Sequence, residues 1–285
     1  MKRELNQLLL PQQLGLNLFL ALGFIGGATG WRISVWTGLW IVVGFVAFRN
    51  AGHAFNQIVD LRYDAQNPRT RDRPLVTGRL SIGAAKLVVL ANIVILFVAA
   101  YLLNFLVLLL APVALALVLG YSYSKRYTAW TTVLLGMVEA MIPVGIYLAT
   151  QQALNLPALV GGFAVLSFGT GFETVHSLGD IASDRKLGLH SIPTFLGREG
   201  GIAAAAAFFS VSLGLFGIYG AVLGLGGLYL VGLIGMGAAL AWEIRALSKK
   251  GLPISKVFWA NFAFGMFFLL GILFGQVHLP GWPAP

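Results

Sequence analysis

Apolar segments long enough to cross a lipid bilayer run through most of this sequence. A helix needs about 20 apolar residues to span the hydrocarbon core. We identify nine such segments, at residues 14–30, 34–59, 84–103, 105–123, 130–150, 157–179, 201–219, 222–243 and 256–277. Only 10% of the residues are charged, whereas soluble domains carry roughly 25%. The sequence therefore predicts an all-α, multi-pass membrane protein with nine transmembrane helices.

Turn-forming residues set two boundaries that hydropathy alone does not. Residues 84–123 are too long an apolar stretch for one crossing, and Asn104 marks a turn between two helices. The stretch 219–227 separates the seventh and eighth segments in the same way. No linker divides the chain, so we expect residues 1–285 to form a single transmembrane domain. The absence of cysteine excludes disulfides and thiolate metal sites.

The basic residues between segments follow the even-numbered ones, with Arg32 as the exception. They include Arg62, Arg79 and Lys86 after the second segment, Lys125 and Arg126 after the fourth, Arg185 and Arg198 after the sixth, and Arg245, Lys249, Lys250 and Lys256 after the eighth. By the positive-inside rule, this alternation predicts a cytoplasmic N-terminus and an external C-terminus. The net charge of +9 is then a consequence of topology and does not indicate nucleic-acid binding.

The aspartates fall in two windows, each at the predicted cytoplasmic end of an apolar segment. The first window (residues 56–79) and the second window (residues 179–197) contain all five of them, namely Asp60, Asp64, Asp72, Asp180 and Asp184. Asn56, Asp60 and Asp64 are spaced four residues apart, so a helix would align them on one face. Asp180 and Asp184 repeat the spacing. Both windows face the cytoplasm in the predicted topology.

Carboxylates at membrane depth need partners, because inserting one costs roughly 2.5–3.5 kcal/mol. We predict no internal salt bridges that match the two clusters, and this favours divalent cations. Mg²⁺ prefers hard oxygen ligands and completes its shell with water and phosphate oxygens. The neighbouring cations suit phosphate oxygens as well; they are Arg69, Arg71, Arg73, Lys125, Arg126 and Lys186. A diphosphate attached to a lipid chain, held in the apolar bundle, fits both observations.

Both windows resemble the signatures of the UbiA superfamily of intramembrane prenyltransferases. The run NQIVDLRYDAQNPRTRDRPLVTGR from Asn56 resembles the first signature, and GDIASDRKLGLHSIPTFLG from Gly179 resembles the second. The run YSYSKRYT from Tyr121 is similar to the basic loop that the family places between helices four and five. The resemblance implies a nine-helix bundle around a central cavity that opens laterally to lipid.

The resemblance also implies roles for individual residues. Catalysis and Mg²⁺ binding would fall to Asp60, Asp64, Asp180 and Asp184, with Asn56 as a further metal ligand. Diphosphate binding would fall to Arg69, Arg73, Tyr121 and Lys125, and we add the adjacent cations Arg126 and Lys186. Arg49 matches a family position near the acceptor. We assign to the same part of the site His53, Glu173 and His176.

The implied reaction is Mg²⁺-dependent transfer of an isoprenyl chain from a polyprenyl diphosphate to an aromatic acceptor. We favour an acceptor of the 4-hydroxybenzoate or dihydroxynaphthoate type, which serves ubiquinone or menaquinone biosynthesis. Geranylgeranylglyceryl phosphate, chlorophyllide and haem remain alternative acceptors. An ion-coupled transporter is a second class of function, but its buried acids would lie near the midplane between inverted repeats. Here both acidic segments end on the same predicted side, which favours a one-sided active site.

Overall fold

The computed structural model describes residues 4, 5, 8, 14–249 and 258–277, and every regular element in that part of the chain is helical. The helices are α1 (Leu14–Thr29), α2 (Val35–Val59), α3 (Leu61–Asp64), α4 (Ile82–Leu103), α5 (Phe105–Ser124), α6 (Thr131–Gln151), α7 (Leu156–Ser177), α8 (Ile181–Leu187), α9 (Ile192–Val222), α10 (Gly227–Leu247) and α11 (Phe258–Gly275). The predicted all-helical membrane fold is confirmed.

Seven helices of the described residues are long and apolar enough to cross a bilayer, and α1 and α11 are shorter apolar helices. The number of nine crossings stays a prediction. The first two residues of the ninth predicted segment, 256 and 257, lie outside the described residues, as do the last residues of the C-terminal tail and most of the first 13 residues.

The predicted turn at Asn104 is confirmed. The Asn104 backbone is extended, and its side-chain oxygen accepts a hydrogen bond from the Val107 amide at 3.0 Å, which caps α5. Its side-chain amide donates to the Leu148 carbonyl at 2.9 Å and so ties the turn to α6. The second predicted turn also holds, because α9 ends at Val222 and α10 begins at Gly227.

The seventh apolar segment was predicted to start at residue 201, but α9 begins at Ile192. Charged residues Arg198 and Glu199 end the apolar run without ending the helix. The backbone leaves the helical region only at Gly197, with φ 75° and ψ −177°, and forms a kink there. A positive φ of this size favours glycine, since it has no Cβ. The kink separates a short cap at the membrane edge from the long span.

Helix α7 lies at the centre of the bundle and α4 at its edge. In their most apolar windows 72% of α7 is buried, against 17% of α4. Gly136 allows close approach of α6, because a Cβ there would collide with the Leu166 carbonyl oxygen of α7. The outer face of α4 exposes apolar side chains that suit contact with lipid, among them Leu87, Leu90, Val94 and Tyr101.

An aromatic core fills the space between α1, α7, α9 and α11. It consists of rings with no solvent exposure, namely Phe24, Phe168, Phe216, Phe264 and Phe268. Phe168 and Phe264 stack with centroids 4.2 Å apart and planes at 9°. This region is filled, so the open space of the bundle lies elsewhere, between α2, α5, α6 and α7.

Candidate active site

A cavity of about 610 Å³ opens between α2, α5, α6 and α7 and reaches both aspartate windows. Eleven of the fifteen predicted site residues line it, namely Arg49, His53, Asn56, Asp60, Arg69, Arg73, Tyr121, Lys125, Glu173, His176 and Asp180. Apolar side chains such as Phe45, Phe48, Val118, Val138 and Ile142 form much of the remaining wall. The cavity therefore combines a charged mouth with an apolar body.

The first window keeps helical spacing through the end of α2. The Asp60 amide donates to the Asn56 carbonyl at 2.8 Å, and the Asp64 amide donates to the Asp60 carbonyl at 2.8 Å. The three side chains therefore share one face although α2 ends at Val59 and α3 begins at Leu61. The Asn56 side-chain amide also donates to Asp60 Oδ2 at 3.0 Å. The predicted alignment of these residues is confirmed.

The second window uses the same backbone design. Helix α7 ends at Ser177, Asp180 precedes α8, and the Asp184 amide donates to the Asp180 carbonyl at 2.7 Å. Gly188 ends α8 in the left-handed region, with φ 67°. Both aspartates are buried, with 4% exposure each.

Arginines neutralise three of the four signature aspartates within the described residues. Arg69 holds Asp180 with two hydrogen bonds, Nε to Oδ1 at 3.0 Å and Nη2 to Oδ2 at 2.6 Å. Arg73 Nη1 donates to Asp64 Oδ2 at 2.6 Å. Arg126 Nη2 lies 3.6 Å from Asp60 Oδ1. The expectation that no internal salt bridges match the clusters was wrong.

The error has a physical reason in the loop that follows α3. Successive turns fold residues 65–80 back over the windows; for example, the Thr70 hydroxyl donates to the Asp64 carbonyl at 3.1 Å. Asn67 Nδ2 reaches Asp180 Oδ1 at 3.0 Å across the two windows. The spacing of residues in the sequence does not show that this loop folds back. It therefore predicted arginines near the aspartates, but not the salt bridges between them.

The carboxylates differ in how their surroundings change the pKa. Burial and the neighbouring Asp64 charge raise the pKa of Asp60. Burial also opposes ionisation of Asp180, but the hydrogen bonds and charge of Arg69 outweigh it and lower that pKa. Burial raises the pKa of Asp184 to about 6, although the Lys125 charge partly offsets it. The bidentate contact with Arg69 therefore lowers the pKa of Asp180, whereas burial raises the pKa of Asp60 and Asp184.

Glu173 forms a network with two residues predicted to bind diphosphate. Tyr121 donates its hydroxyl hydrogen to Glu173 Oε1 at 3.1 Å, and Lys125 Nζ lies 3.5 Å from the same oxygen. Burial would lower the pKa of Lys125, but the charges of Glu173 and the nearby aspartates outweigh it and raise that pKa. Glu173, predicted to contact the acceptor, thus contacts the predicted diphosphate residues.

Four predicted residues do not line the cavity. Asp64 and Asp184 are buried beside it, and Lys186 is exposed on α8. Arg126 lies over the rings of Tyr63 and Tyr123, 5.1 Å from each centroid, and donates to the Val59 carbonyl at 2.9 Å. Arg126 therefore braces the end of α2.

Sequence reasoning missed Glu139, a carboxylate of α6 that lines the cavity. It also missed polar lining residues such as Asn17, Gln57 and Ser122. The signal for Glu139 is visible in the sequence, since it is the one acidic residue of the segment 130–150. Acidic residues within spans are costly and mark functional sites. Glu139 lies outside both aspartate windows and was not predicted as a site residue.

The acidic residues of the mouth fit an oxygen-loving divalent cation. Within the described residues no three acidic or histidine side chains lie close enough together to hold a metal ion, and Arg69 and Arg73 contact Asp180 and Asp64. The donors are nevertheless carboxylate and amide oxygens, which Mg²⁺ prefers. Asp184 Oδ2 is buried with no hydrogen-bond partner in the described part of the chain, so this oxygen is open to a cation.

Solved structures of similar fold were found. A UbiA homologue from Aeropyrum pernix K1, in its apo form, is 30% identical, with a TM-score of 0.82 over 92% of this chain and 98% of that one. A UbiA homologue from Archaeoglobus fulgidus bound to GPP and Mg²⁺ has a TM-score of 0.69 at 18% identity, over 96% of this chain and all of that one. At 18% identity, the similarity to the Archaeoglobus fulgidus structure shows a shared fold only.

Curated relatives match over most of their length. The 4-hydroxybenzoate octaprenyltransferase of Chromohalobacter salexigens is 31% identical over 73% of this chain and 70% of its own. The enzyme of that name from Cronobacter sakazakii is 30% identical over 74% of both chains. The model of the UbiA prenyltransferase family matches residues 17–270. The chain belongs to the UbiA prenyltransferase family, which confirms the enzyme class predicted from the two windows.

Proposed function

We propose that the protein transfers a polyprenyl chain from its diphosphate to 4-hydroxybenzoate in ubiquinone biosynthesis. The observation that carries the proposal is one cavity whose mouth holds Asp60, Asp180, Arg69, Arg73 and Lys125 above an apolar body. Such a space suits a molecule with an anionic head and a long apolar chain. The names of the similar enzymes support the choice of acceptor.

The diphosphate binds at the mouth in this proposal. Arg69 and Arg73 line the cavity while they hold Asp180 and Asp64, so their remaining N–H groups can also bind phosphate oxygens. The Arg69 side chain is 59% exposed, which makes it accessible to an incoming headgroup. Lys125 and Tyr121 extend this surface on α5.

Asn56, Asp60, Asp64, Asp180 and Asp184 would hold Mg²⁺ beside the headgroup. The bound metal would supply positive charge that stabilises the leaving diphosphate. The buried Asp184 oxygen without a partner supports this assignment. The arginine contacts of Asp64 and Asp180 would rearrange as the headgroup binds.

The apolar body receives the polyprenyl chain. A second, apolar cavity of about 100 Å³ lies between α2, α4, α5 and α6. It shares Phe45, Phe48 and Ile142 with the main cavity, which gives the chain a continuous apolar route away from the mouth. Gly145 lines the second cavity, and no atom lies within 4 Å of where its Cβ would be. A larger side chain there would fill this route.

Arg49 would bind the carboxylate of the acceptor, with His53 and His176 on the same wall. Arg49 is 7% exposed and lines the cavity two helical turns before Asn56, about 10 Å deeper along α2. This depth brings the acceptor ring toward the first carbon of the prenyl chain. The ring carbon ortho to the hydroxyl then attacks that carbon as the diphosphate leaves, in a cavity whose apolar wall excludes water.

The proposed location is the cell membrane, with the N-terminus and both windows on the cytoplasmic side. The basic residues that follow the even-numbered segments support this orientation. Polyprenyl diphosphate would then enter from the bilayer and the water-soluble acceptor from the cytoplasm.

A product assay tests the proposal. Purified protein receives geranyl diphosphate with 4-hydroxybenzoate, a dihydroxynaphthoate, geranylgeranylglyceryl phosphate, haem or a chlorophyllide, with Mg²⁺ or EDTA. We expect a Mg²⁺-dependent prenylated 4-hydroxybenzoate by mass spectrometry. A product with another acceptor alone would overturn the choice of substrate. Ion-driven transport in liposomes without any product would favour the transporter.

A further inference from the structure

Glu139 is a carboxylate within a membrane-spanning helix, and the fold makes room for it. It lies on α6 and lines the main cavity. Gly169 of α7 faces its carboxylate, and a Cβ at that position would collide with Glu139 Oε2. The close contact of α6 with α7 at Gly136 and Gly169 therefore holds the carboxylate at the cavity wall.

The surroundings of Glu139 place it at the acceptor end of the cavity. It lies eight residues into α6, about 12 Å from the mouth, which is close to the depth of Arg49 on α2. An acceptor bound by Arg49 would therefore meet Glu139 on the opposing helix.

Three of the other four carboxylates that line the cavity already accept hydrogen bonds, and the fourth, Asp72, is exposed in the loop 65–80. Asp60 accepts a hydrogen bond from Asn56, and Asp180 accepts three from Arg69 and Asn67. Glu173 accepts one from Tyr121. Among the described residues no group donates a hydrogen bond to Glu139, so its oxygens are available to a ligand.

We propose that Glu139 is the general base that removes the ring proton of the acceptor. This inference rests on the proposed function. The prenyl carbon forms a bond to the ring carbon ortho to the hydroxyl, and its bond to the diphosphate oxygen breaks with the electron pair leaving on diphosphate. The hydrogen on that ring carbon then leaves as a proton to a Glu139 oxygen. The C–H electron pair restores the aromatic ring.

The test compares Glu139→Gln with Glu139→Asp and a matched control, Glu243→Gln. Glu243 is a fully buried glutamate on α10; it accepts a hydrogen bond from Asn261 at 3.2 Å and does not line the cavity. Each protein is assayed with Mg²⁺, geranyl diphosphate and 4-hydroxybenzoate carrying either hydrogen or deuterium ortho to the hydroxyl. Donor affinity is measured separately by calorimetry.

We expect Glu139→Gln to lower kcat by at least about 100-fold, as loss of a general base does. Proton removal then limits the rate, so a primary isotope effect appears with the deuterated acceptor, while donor affinity stays unchanged. Glu139→Asp restores part of the rate, and Glu243→Gln behaves as wild type.

Two results would overturn the role of Glu139. One is a Glu139→Gln protein with the wild-type kcat. The other is a loss of activity with no isotope effect, which a merely structural role would produce. Wild-type protein that forms no prenylated 4-hydroxybenzoate instead refutes the proposed function, and this outcome is recognised before any variant is made.

Discussion

The first and second aspartate windows share a backbone design but differ in the partners of their carboxylates. In both, a long helix ends near an aspartate and a short helix carries the next one in helical register. The first window provides its own cation, because Arg73 holds Asp64. The second window depends on the first, because Arg69 and Asn67 hold Asp180.

This difference shows how two separate helix ends become one site. The loop 65–80 carries both Arg69 and Arg73, so one segment contacts the acids of both windows. A headgroup that binds the two arginines would act on both windows together. Asp184 stands apart, since its Oδ2 is buried without a hydrogen-bond partner in the described residues.

Removing one carboxylate from each window gives the largest expected effect. We expect Asp60→Asn and Asp180→Asn each to lower kcat/KM by at least about 100-fold, since each removes a proposed ligand of the Mg²⁺ that would stabilise the leaving diphosphate. The measurement is prenylated product formed per minute at saturating Mg²⁺. If one variant kept most of the activity, the two windows would not act on the same headgroup.

Arg69 connects the two windows through its hydrogen bonds to Asp180. Arg69→Ala should weaken donor affinity by roughly 10- to 100-fold, because it removes bidentate hydrogen bonds to a charged group. Arg69→Lys should recover only part of the donor affinity, since lysine keeps the positive charge but cannot donate two parallel hydrogen bonds. Donor titration by calorimetry measures both variants.

A double-mutant cycle separates direct binding by Arg69 from its contact with Asp180. The effects of Arg69→Ala and Asp180→Asn on kcat/KM should be non-additive, because the two residues share two hydrogen bonds. Arg73→Ala with Asp180→Asn is the matched control and should be closer to additive. Equal coupling in both pairs would contradict the bridging role of Arg69.

Cations outside the cavity should matter less than those inside it. Arg126→Ala should reduce activity several-fold, because Arg126 braces the end of α2 through the Val59 carbonyl. Lys186→Ala should stay within about twofold of wild type, since exposed charges contribute little. A large loss at Lys186 would place it in the site against this expectation.

The smallest expected effects concern the glycines that end each window's turn. Gly78 and Gly188 have φ of 71° and 67°, and both have open space at the Cβ position. Alanine at either site should therefore cost about 1 kcal/mol of stability through backbone strain alone. Gly83→Ala within α4 is the control and should not destabilise. Apparent Tm in detergent measures all three.

The sequence predicted the spans and the aspartate rows because each depends on local spacing. Apolar length fixed the position of α2, α4 and α5 to within about two residues, and the interval of four aligned Asn56 with Asp60. The salt bridges were missed because residues 65–80 fold back over both windows. Glu139 was missed although a charge inside a span was visible in the sequence. The spacing of residues in the sequence does not predict contacts between distant segments.

We expect both windows to bind one Mg²⁺-diphosphate headgroup. Titration of geranyl thiolodiphosphate, which resists ionisation, into the purified protein with Mg²⁺ or EDTA tests it directly. The expected result is one binding site per chain that requires Mg²⁺ and is lost in both Asp60→Asn and Asp180→Asn. Unchanged binding in either variant, or equal binding in EDTA, would contradict the claim.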